Sequence, residues 1–397
     1  MSAGDGVPPE GVPWWMRDLG PLAVLLLAGL GLAATHLSAD VGLYRHDAEA
    51  MLRLPLSAAL PSQYPALAGG LFVLVRILPF AYQDGFAVIA ALAMVAMVAA
   101  GPSHVARPGW PRRLVVYLAL GTVWVLLLRY DVVSSMLALA AVDQARRRRW
   151  GWAWCAALIG AGVQLFPALL IPAFFAVEWR ERRRPPWLRG LAGACALGAA
   201  ALAQQLLAPG TLLAPFRYEM RRGFEVWSLP GTLTAVLDPL HLRLVHQFGT
   251  FEIVGRYAGS IGLAMDVLAL ASLATLWALA GCGRLGVVAV SLATLSVAVA
   301  FDRAFPPQYL IWLAPLWAYY ELRTGWLATA LLTTLIYPVA WLFTERFHWS
   351  FLVPTALGGL RNAVFLAATA TWIAAELWPR STDAAPVPPG GSLGEGW

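Results

Sequence analysis

The sequence has no lysine, few acidic residues and only three cysteines among its 397 residues. Charged residues make up 13% of the chain and hydrophobic residues 59%, whereas soluble domains contain about 25% charged residues. This composition excludes an ordinary soluble enzyme. Because Cys155, Cys195 and Cys282 lie inside apolar runs, we expect them to be small buried residues without a disulfide or metal pattern.

Apolar runs long enough to cross a bilayer recur along most of the chain. A spanning helix needs roughly 20 apolar residues, or fewer where it is short or paired in a hairpin. We therefore predict an all-α polytopic membrane protein with a single bundle of about 12 transmembrane helices over residues 21–378. Residues 1–20 and 379–397 are expected to be disordered and cytoplasmic. The predicted segments are 21–37, 67–101, 112–128, 131–145, 150–163, 166–178, 187–208, 254–281, 286–301, 309–322, 325–343 and 351–378.

The 28 basic residues are all arginine, and many of them cluster in the connectors between apolar runs. Because arginine-rich connectors tend to stay in the cytoplasm, we assign the groups at 107–113, 146–149 and 180–184 to the inner face. Orientation in the membrane then explains the net charge of +6, and no nucleic-acid partner is expected. Both termini lie inside, and the long polar stretch 209–250 lies outside.

Two apolar segments need a separate interpretation. At about 1.5 Å per residue, segment 67–101 is too long for one upright helix that crosses once. We therefore predict a kink near Pro79 or a part that lies in the membrane plane. For residues 21–39, a cleaved signal peptide is the alternative to a first spanning helix.

The first outer loop, ADVGLYRHDAEAMLRLPLSAALPSQYPALAG, directly follows the first helix. The apolar positions from Asp47 to Leu54 predict an amphipathic helix on the membrane surface. Asp40 is held at a fixed height near the interface, as a general base requires, and the alternative is that it only caps or solvates the helix end. The other candidates for substrate binding in this loop are Tyr44, Asp47, Gln63 and Tyr64.

Three arginines in the long outer stretch oppose the positive-inside trend. They are Arg217, Arg221 and Arg222. A guanidinium fork binds phosphate in a bidentate manner, and Gly223 allows a ligand to approach the backbone closely. We interpret the arginines as a site for a lipid-linked phosphate, with nonspecific contact to lipid headgroups as the alternative.

Polar residues also occur at other predicted outer turns. Arg129 and Asp131, in one tight turn, either pair with each other or take part in the site. Gln308 belongs to a polar cluster at the outer start of a helix, and His348 is predicted to lie on the same face. We include all four among the candidates for substrate binding.

The chain resembles the polytopic glycosyltransferases of the GT-C fold that use polyprenyl-phosphate sugars. The resemblance is to the actinobacterial alpha-mannosyltransferases above all, and it covers roughly residues 20–325. The chain departs from the family pattern at Gln63, where an acidic residue usually precedes Tyr-Pro-Pro, and at Gln164-Leu165, where a lysine is usual. The motifs, in order along the chain, are DVGLYR, QYPALA, RYDVVSSMLALAAV, QLFPALLIP, RRGFEVWSLPGTL and PPQYLIWLAP.

The resemblance implies that Asp40 is the catalytic base of an inverting sugar transfer at the extracytoplasmic face of the plasma membrane. The donor would be a polyprenyl-phosphate sugar, and the acceptor a glycolipid or a glycan. Mannose is the expected sugar, and arabinose or another sugar is the alternative. No cofactor is expected, because the lipid phosphate leaves already activated. A divalent metal on the acidic residues of the first outer loop is an alternative without further support in the sequence.

Two other function classes fit the composition. A transporter or flippase of a lipid-linked or polar substrate is indicated by Asp266, since ionisable groups inside apolar segments can relay protons. A noncatalytic subunit of a membrane assembly is the third hypothesis. No matching group for a proton relay accompanies Asp266 in the sequence, and the polar outer loops argue against the noncatalytic subunit.

Overall fold

The computed structural model describes residues 14–35, 39–102, 107–247, 249–347 and 351–378. His348 and most of the two tails predicted to be disordered lie outside these ranges. The described chain forms a helical bundle that carries loops, short helices and a small sheet at one end. A polytopic helical protein is therefore confirmed in its general form.

The first third of the chain contains the predicted break in the long apolar segment. The segment divides on either side of Pro79 into two helices, as the kink prediction requires. The first helix begins at Trp14, inside the stretch predicted to be disordered, because no proline interrupts the chain between Trp14 and Gly20. The surface helix is longer than predicted and begins at Ala39. The elements are α1 (Trp14–Thr35), α2 (Ala39–Arg53), α3 (Leu56–Ala59), α4 (Ala66–Arg76) and α5 (Tyr82–Ala100).

The next helices are short and joined by tight turns, as the arginine-based topology requires. Two of the turns contain a 3-10 helix, at Leu126–Leu128 and Phe166–Leu169. Both precede a helix whose first turn is mostly buried in the bundle. The helices are α6 (Trp110–Gly121), α7 (Asp131–Arg146), α8 (Trp150–Val163), α9 (Leu170–Arg182) and α10 (Trp187–Leu207).

The long polar stretch contains a three-stranded antiparallel sheet, so the all-α prediction is wrong here. The strand order is β1-β3-β2, β2 and β3 pair as far as Gln247 and Thr250, and Gly249, directly before β3, has φ +73°. Valine, isoleucine and aromatic residues favour extended backbone in this stretch, and glycine accepts the left-handed conformation of the turn. The elements are α11 (Ala214–Arg221), β1 (Phe224–Glu225), α12 (Leu229–Leu237), β2 (Arg243–Gln247) and β3 (Thr250–Val254).

The last third of the chain returns to the bundle. Its most buried helices, α14 and α15, lie in the main hydrophobic core together with α7. The predicted segment 325–343 is not one continuous α-helix, because a π-helical stretch at Leu335–Ala340 separates two parts. The helices are α13 (Ala258–Gly281), α14 (Val287–Phe301), α15 (Tyr309–Trp317), α16 (Thr324–Thr334), α17 (Trp341–Phe347) and α18 (Leu352–Leu377).

Five helical stretches in the described part of the chain are long and apolar enough to cross a membrane. Their outer surfaces are apolar, as shown by Leu188, which is 84% exposed, and Leu270, which is 67% exposed. Apolar surface of this kind suits a lipid environment. A total of about 12 spans and the GT-C arrangement remain predictions. The five stretches are Tyr82–Ala100, Trp187–Leu207, Ala258–Gly281, Thr324–Thr344 and Leu352–Leu377.

The arginine groups converge at one end of the bundle, which we call the arginine end. Arg113 Nε donates to the carbonyl of Ala318 at 2.9 Å, and Arg180 Nη1 donates to the carbonyl of Leu285 at 3.2 Å. The sheet, α2 and α11 lie at the opposite end, which we call the loop end. The separation of the two sets across the membrane and the cytoplasmic position of the arginine end remain predictions.

The three cysteines are exposed, so the expectation of burial is wrong. Cys155 lies in α8, Cys195 lies in α10, and Cys282 directly follows α13. In a bilayer an apolar side chain is as stable against lipid as against protein. An apolar run therefore does not distinguish a buried position from one that faces lipid.

Single cysteines should report the orientation of the two ends. After replacement of the native cysteines by alanine, we expect Arg217→Cys at the loop end to react with a membrane-impermeant maleimide in intact cells. Arg149→Cys at the arginine end should react only after the membrane is permeabilised. The reverse pattern would overturn the assignment of the arginine end to the cytoplasm.

Candidate functional site

An ion pair between α2 and the turn before α7 lies at the centre of the loop end. Arg129 Nη2 is 2.6 Å from Asp40 Oδ2. The Asp40 side chain is 35% exposed and that of Arg129 18% exposed, so the carboxylate is accessible while the guanidinium is mostly enclosed. Asp40 lies in the first turn of α2, where a negative charge is stabilised by the helix dipole. Arg129 thus pairs with Asp40, and the alternative pairing with Asp131 is wrong.

Asp131 is buried and holds three elements together. Its Oδ1 accepts hydrogen bonds from Gln164 Nε2 at 3.0 Å and from Trp312 Nε1 at 2.8 Å. Gln164 Oε1 in turn accepts from Ser134 Oγ at 2.6 Å. Because Asp131 is only 2% exposed, its described contacts indicate a positioning role for this carboxylate. Direct substrate binding by Asp131 stays a prediction.

Four aromatic rings form one cluster between α2, α4 and the start of α7. Tyr44 of α2, Tyr64, Phe72 of α4 and Tyr130 lie within contact of one another, with centroid distances from 4.5 to 5.7 Å. Tyr44 is fully buried, and its hydroxyl has no hydrogen-bond partner in the described structure. The aromatic cluster fixes α2 against α4 and α7. Tyr44 and Tyr64 therefore lie beside Asp40, as the sequence predicts for residues of one site.

A second aromatic stack connects the Asp131 network to the helix that begins at Tyr309. Trp312 stacks on Phe166 at 4.3 Å and on Tyr309 at 3.9 Å between centroids. Gln308 precedes this helix, and its Oε1 is buried without a partner among the described residues. Sequence reasoning did not include Trp312 in the site. Its only signal was the motif PPQYLIWLAP, in which the tryptophan follows the polar cluster by four residues.

Arg222 points into the protein and is surrounded by carboxylates. Its side chain is 14% exposed and lies 3.5 Å from Glu252, 3.8 Å from Glu225 and 3.9 Å from Glu219. Burial alone would lower the pKa of Arg222, but its acidic neighbours, Glu225 foremost, raise it, so the group stays charged. The charge of Arg222 is thus largely neutralised within the protein.

Glu225 and Glu252 face each other across the sheet. They are register partners of β1 and β3. Glu252 Oε2 accepts from the backbone N–H of Gly223 at 2.8 Å, and a Cβ at Gly223 would lie 2.8 Å from the same oxygen. The close approach that Gly223 permits is therefore to Glu252. This contact accounts for a glycine at position 223, and no ligand is needed to explain it.

Glu225 connects the sheet to the loop before α15. Its Oε2 accepts from the backbone N–H of Phe305 at 2.9 Å, and its Oε1 accepts from Thr250 Oγ1 at 3.1 Å. Burial raises the pKa of this carboxyl, while Arg222 acts in the opposite direction. Glu225 is 2% exposed, so every one of these contacts is made inside the protein.

Arg361 is a buried arginine that sequence reasoning missed. Its Nη1 donates to the carbonyl of Phe305 and its Nη2 to that of Trp227, both at 2.8 Å. The guanidinium carbon lies 3.7 Å from the centroid of the Phe305 ring. The available signal was an arginine in the interior of an apolar helix, because charged residues there are rare and usually functional.

The remaining two phosphate candidates lie on α11 and are exposed. Arg217 Nη2 donates to the carbonyl of Gly210 at 2.6 Å, and Arg221 is the last residue of the helix. Tyr218, on the same helix, interacts electrostatically with both Arg222 and Asp40, and burial raises its pKa to about 12. α11 therefore connects the Arg222 cluster to the Asp40–Arg129 pair.

Three predicted site residues remain, namely Asp47, Gln63 and His348. Asp47 of α2 is half-buried, and burial raises its pKa to about 6. Gln63 is partly buried next to Tyr64 in the chain. His348 lies outside the described residues. In the described ranges, no group of three or more histidine, cysteine or acidic side chains is placed to hold a metal ion.

Comparison with known proteins adds no relative. The chain matches no model of a known protein family and, among curated proteins, no sequence at a significant level.

Removal of the Glu225 carboxylate should destabilise the loop end. Glu225→Ala would leave the N–H of Phe305 unpaired and Arg222 less compensated, so we expect a loss of about 3–5 kcal/mol in the free energy of unfolding. Glu225→Gln keeps an acceptor and should lose less. Glu321→Ala, at an exposed position of the arginine end, should change stability by less than about 0.5 kcal/mol. Denaturant unfolding in detergent measures all three, and equal losses for Glu225→Ala and Glu321→Ala would contradict the assignment.

Asp47 should make stability depend on pH. Its pKa of about 6 in the folded protein exceeds the usual 3.8, so its stabilising contribution is complete at low pH and is lost as the pH rises through 6. Asp47→Asn should flatten the thermal melting temperature between pH 4 and 7. Asp84→Asn, at an exposed position in the first turn of α5, is the matched control and should keep the wild-type profile. An unchanged profile in Asp47→Asn would show that another group titrates.

Proposed function

We propose that the protein is an inverting glycosyltransferase that moves a sugar from a polyprenyl-phosphate donor to a hydroxyl of a glycolipid or glycan. The reaction takes place at the loop end, on the extracytoplasmic face of the plasma membrane, and mannose is the expected sugar. The observation that supports this most is the Asp40–Arg129 pair. It combines an accessible carboxylate with a fixed orientation at the membrane interface.

Asp40 has the geometry that a general base needs. Its Oδ2 is held by Arg129, and the described residues offer its Oδ1 no hydrogen-bond partner. Oδ1 is therefore available to accept the proton of an acceptor hydroxyl. The ion pair restrains the carboxylate, because moving it away from Arg129 would break the pair.

The donor phosphate has its best partners on α11. Arg217 and Arg221 are exposed, whereas Arg222 is occupied by three carboxylates. On the same short helix, Phe216 is 52% exposed and Met220 is 77% exposed. A lipid-linked phosphate would meet charge and apolar surface together there. We assign phosphate binding to Arg217 and Arg221, with Arg222 as the internal charge that anchors the end of the helix.

The bond changes balance without a cofactor. Asp40 takes the proton of the acceptor hydroxyl, and the acceptor oxygen forms a bond to the anomeric carbon. The bond from that carbon to the phosphate oxygen breaks, and polyprenyl phosphate leaves with the electron pair. The exposed arginines stabilise the charge on the leaving phosphate.

The structure weakens the main argument for a transporter. Asp266, which would relay protons, has a side chain that is 56% exposed and lies 3.7 Å from Arg303 at the loop end. The pairing with Arg303 accounts for this acidic residue in an apolar helix without a proton pathway. Transport of a lipid-linked substrate is kept as the second candidate, because the same lipid-facing surface of α11 would serve it.

Transfer by the purified protein tests the proposal. With polyprenyl-phosphate-mannose and a glycolipid acceptor, Asp40→Asn should lower kcat by about 10²–10⁴, the usual contribution of a general base. The amide keeps an oxygen for Arg129, so the fold should survive. Asp84→Asn is again the matched control and should leave kcat unchanged.

Two results would decide against the enzyme. Full activity in a folded Asp40→Asn variant would remove Asp40 as the base. Absence of transfer by the wild type with every polyprenyl-phosphate sugar, together with movement of the lipid across proteoliposomes, would favour the transporter.

A further inference from the structure

A groove at the arginine end lies far from the Asp40 site and has no role in the proposed reaction. It is a cavity of about 730 Å³ between α9 and the end of α13. One wall carries Phe175, Trp179 and Arg183, and the other carries Trp277 and Cys282. The groove thus combines aromatic side chains with arginine at the end of two helices.

The acidic residues nearby are already neutralised. Glu178 is fully buried and binds Arg182 and Arg189. Glu181 lies 3.4 Å from Arg148 and 3.9 Å from Arg180. In the described part of the chain, none of these carboxylates pairs with Arg183 or Arg184.

The side chains of Arg183 and Arg184 are both exposed. Arg183 ends α9 in the left-handed region at φ 55°, a conformation that is uncommon for residues other than glycine. The turn leaves Arg183 on the groove, while Arg184 lines a neighbouring cavity of about 940 Å³ beside Trp187. Two uncompensated positive charges therefore lie next to each other in the chain, Arg183 on the groove and Arg184 on the adjoining cavity.

Exposed tryptophans lie in the groove and directly beside it. Trp179 is 49% exposed and Trp187 is 66% exposed, and the Phe175 ring lies between them at centroid distances of 5.9 and 5.4 Å. Tryptophan is enriched where a membrane protein meets the headgroup region, and basic pockets between spanning helices bind anionic headgroups.

We propose that an anionic phospholipid occupies this groove. Its phosphate would bind Arg183 and Arg184, and its acyl chains would lie along Phe175, Trp179 and Trp277. The charge of the groove selects an anionic lipid over a zwitterionic one. The aromatic wall selects a lipid over a free phosphate ion.

Lipid affinity of the purified protein tests the site. Native mass spectrometry with phosphatidylglycerol should show binding that weakens roughly 25-fold in the double variant Arg183→Gln, Arg184→Gln, since each arginine near a membrane surface contributes about a factor of five. Arg149→Gln, an exposed arginine of the same end outside the groove, is the matched control and should bind as the wild type does. Equal weakening in both variants would mean general attraction to charge and would overturn the proposal.

A second variant tests the apolar wall. Ala278→Phe fills the groove from an exposed position, so it should fold normally and weaken phosphatidylglycerol binding while leaving the arginines in place. Unchanged binding in this variant would contradict the groove as the lipid position.

The wild-type protein provides an independent readout. Cys282 lines the groove, whereas Cys155 and Cys195 lie on other exposed surfaces. Phosphatidylglycerol should slow maleimide labelling of Cys282 more than that of the other two, and phosphatidylcholine should not. Protection by millimolar inorganic phosphate alone would show a free-anion site and would overturn the lipid assignment.

Discussion

The loop end depends on the compensation of one buried charge, that of Glu225. A carboxylate removed from water is costly unless donors and positive charge surround it. Here the N–H of Phe305 and the hydroxyl of Thr250 supply the hydrogen bonds, and Arg222 supplies the charge. These groups come from separate parts of the chain. Because Glu225 needs them as hydrogen-bond and charge partners, their contacts join the sheet to the bundle. Arg361 adds to this junction by binding two backbone carbonyls on either side of it.

That junction positions the candidate active site. None of the groups proposed to react belongs to the junction. Arg222 directly follows α11, and Tyr218 on that helix interacts electrostatically with Asp40. On the other side, Asp131 fixes the stacked Trp312 beside the turn that carries Arg129. The two buried networks thus define the space between them. As a result, the accessible carboxylate of Asp40 and the exposed arginines of α11 lie at the same end of the bundle.

Some parts of this arrangement could be predicted, since they follow from local composition. The break near Pro79, the surface helix that includes Asp47 and the clustering of arginines at one end all depend on short stretches of sequence. The partners of the charged residues could not be predicted in this way. Arg129 is two residues from Asp131 but binds Asp40, and Arg222 binds glutamates up to 30 residues away, because distant helix ends and strands meet at the loop end.

The amino-acid sequence by itself determined that the chain is a helical membrane protein with charge at its two ends, because apolar runs and arginine-rich connectors have only one stable place in a bilayer. Only the tertiary structure decided which charges remain available. It buried Arg222 among carboxylates, left Asp40 accessible beside Arg129 and turned the cysteines outward. The reason is physical: solvation in the membrane depends on local polarity, whereas the neutralisation of a charge depends on which distant group the fold brings within a few ångströms of it.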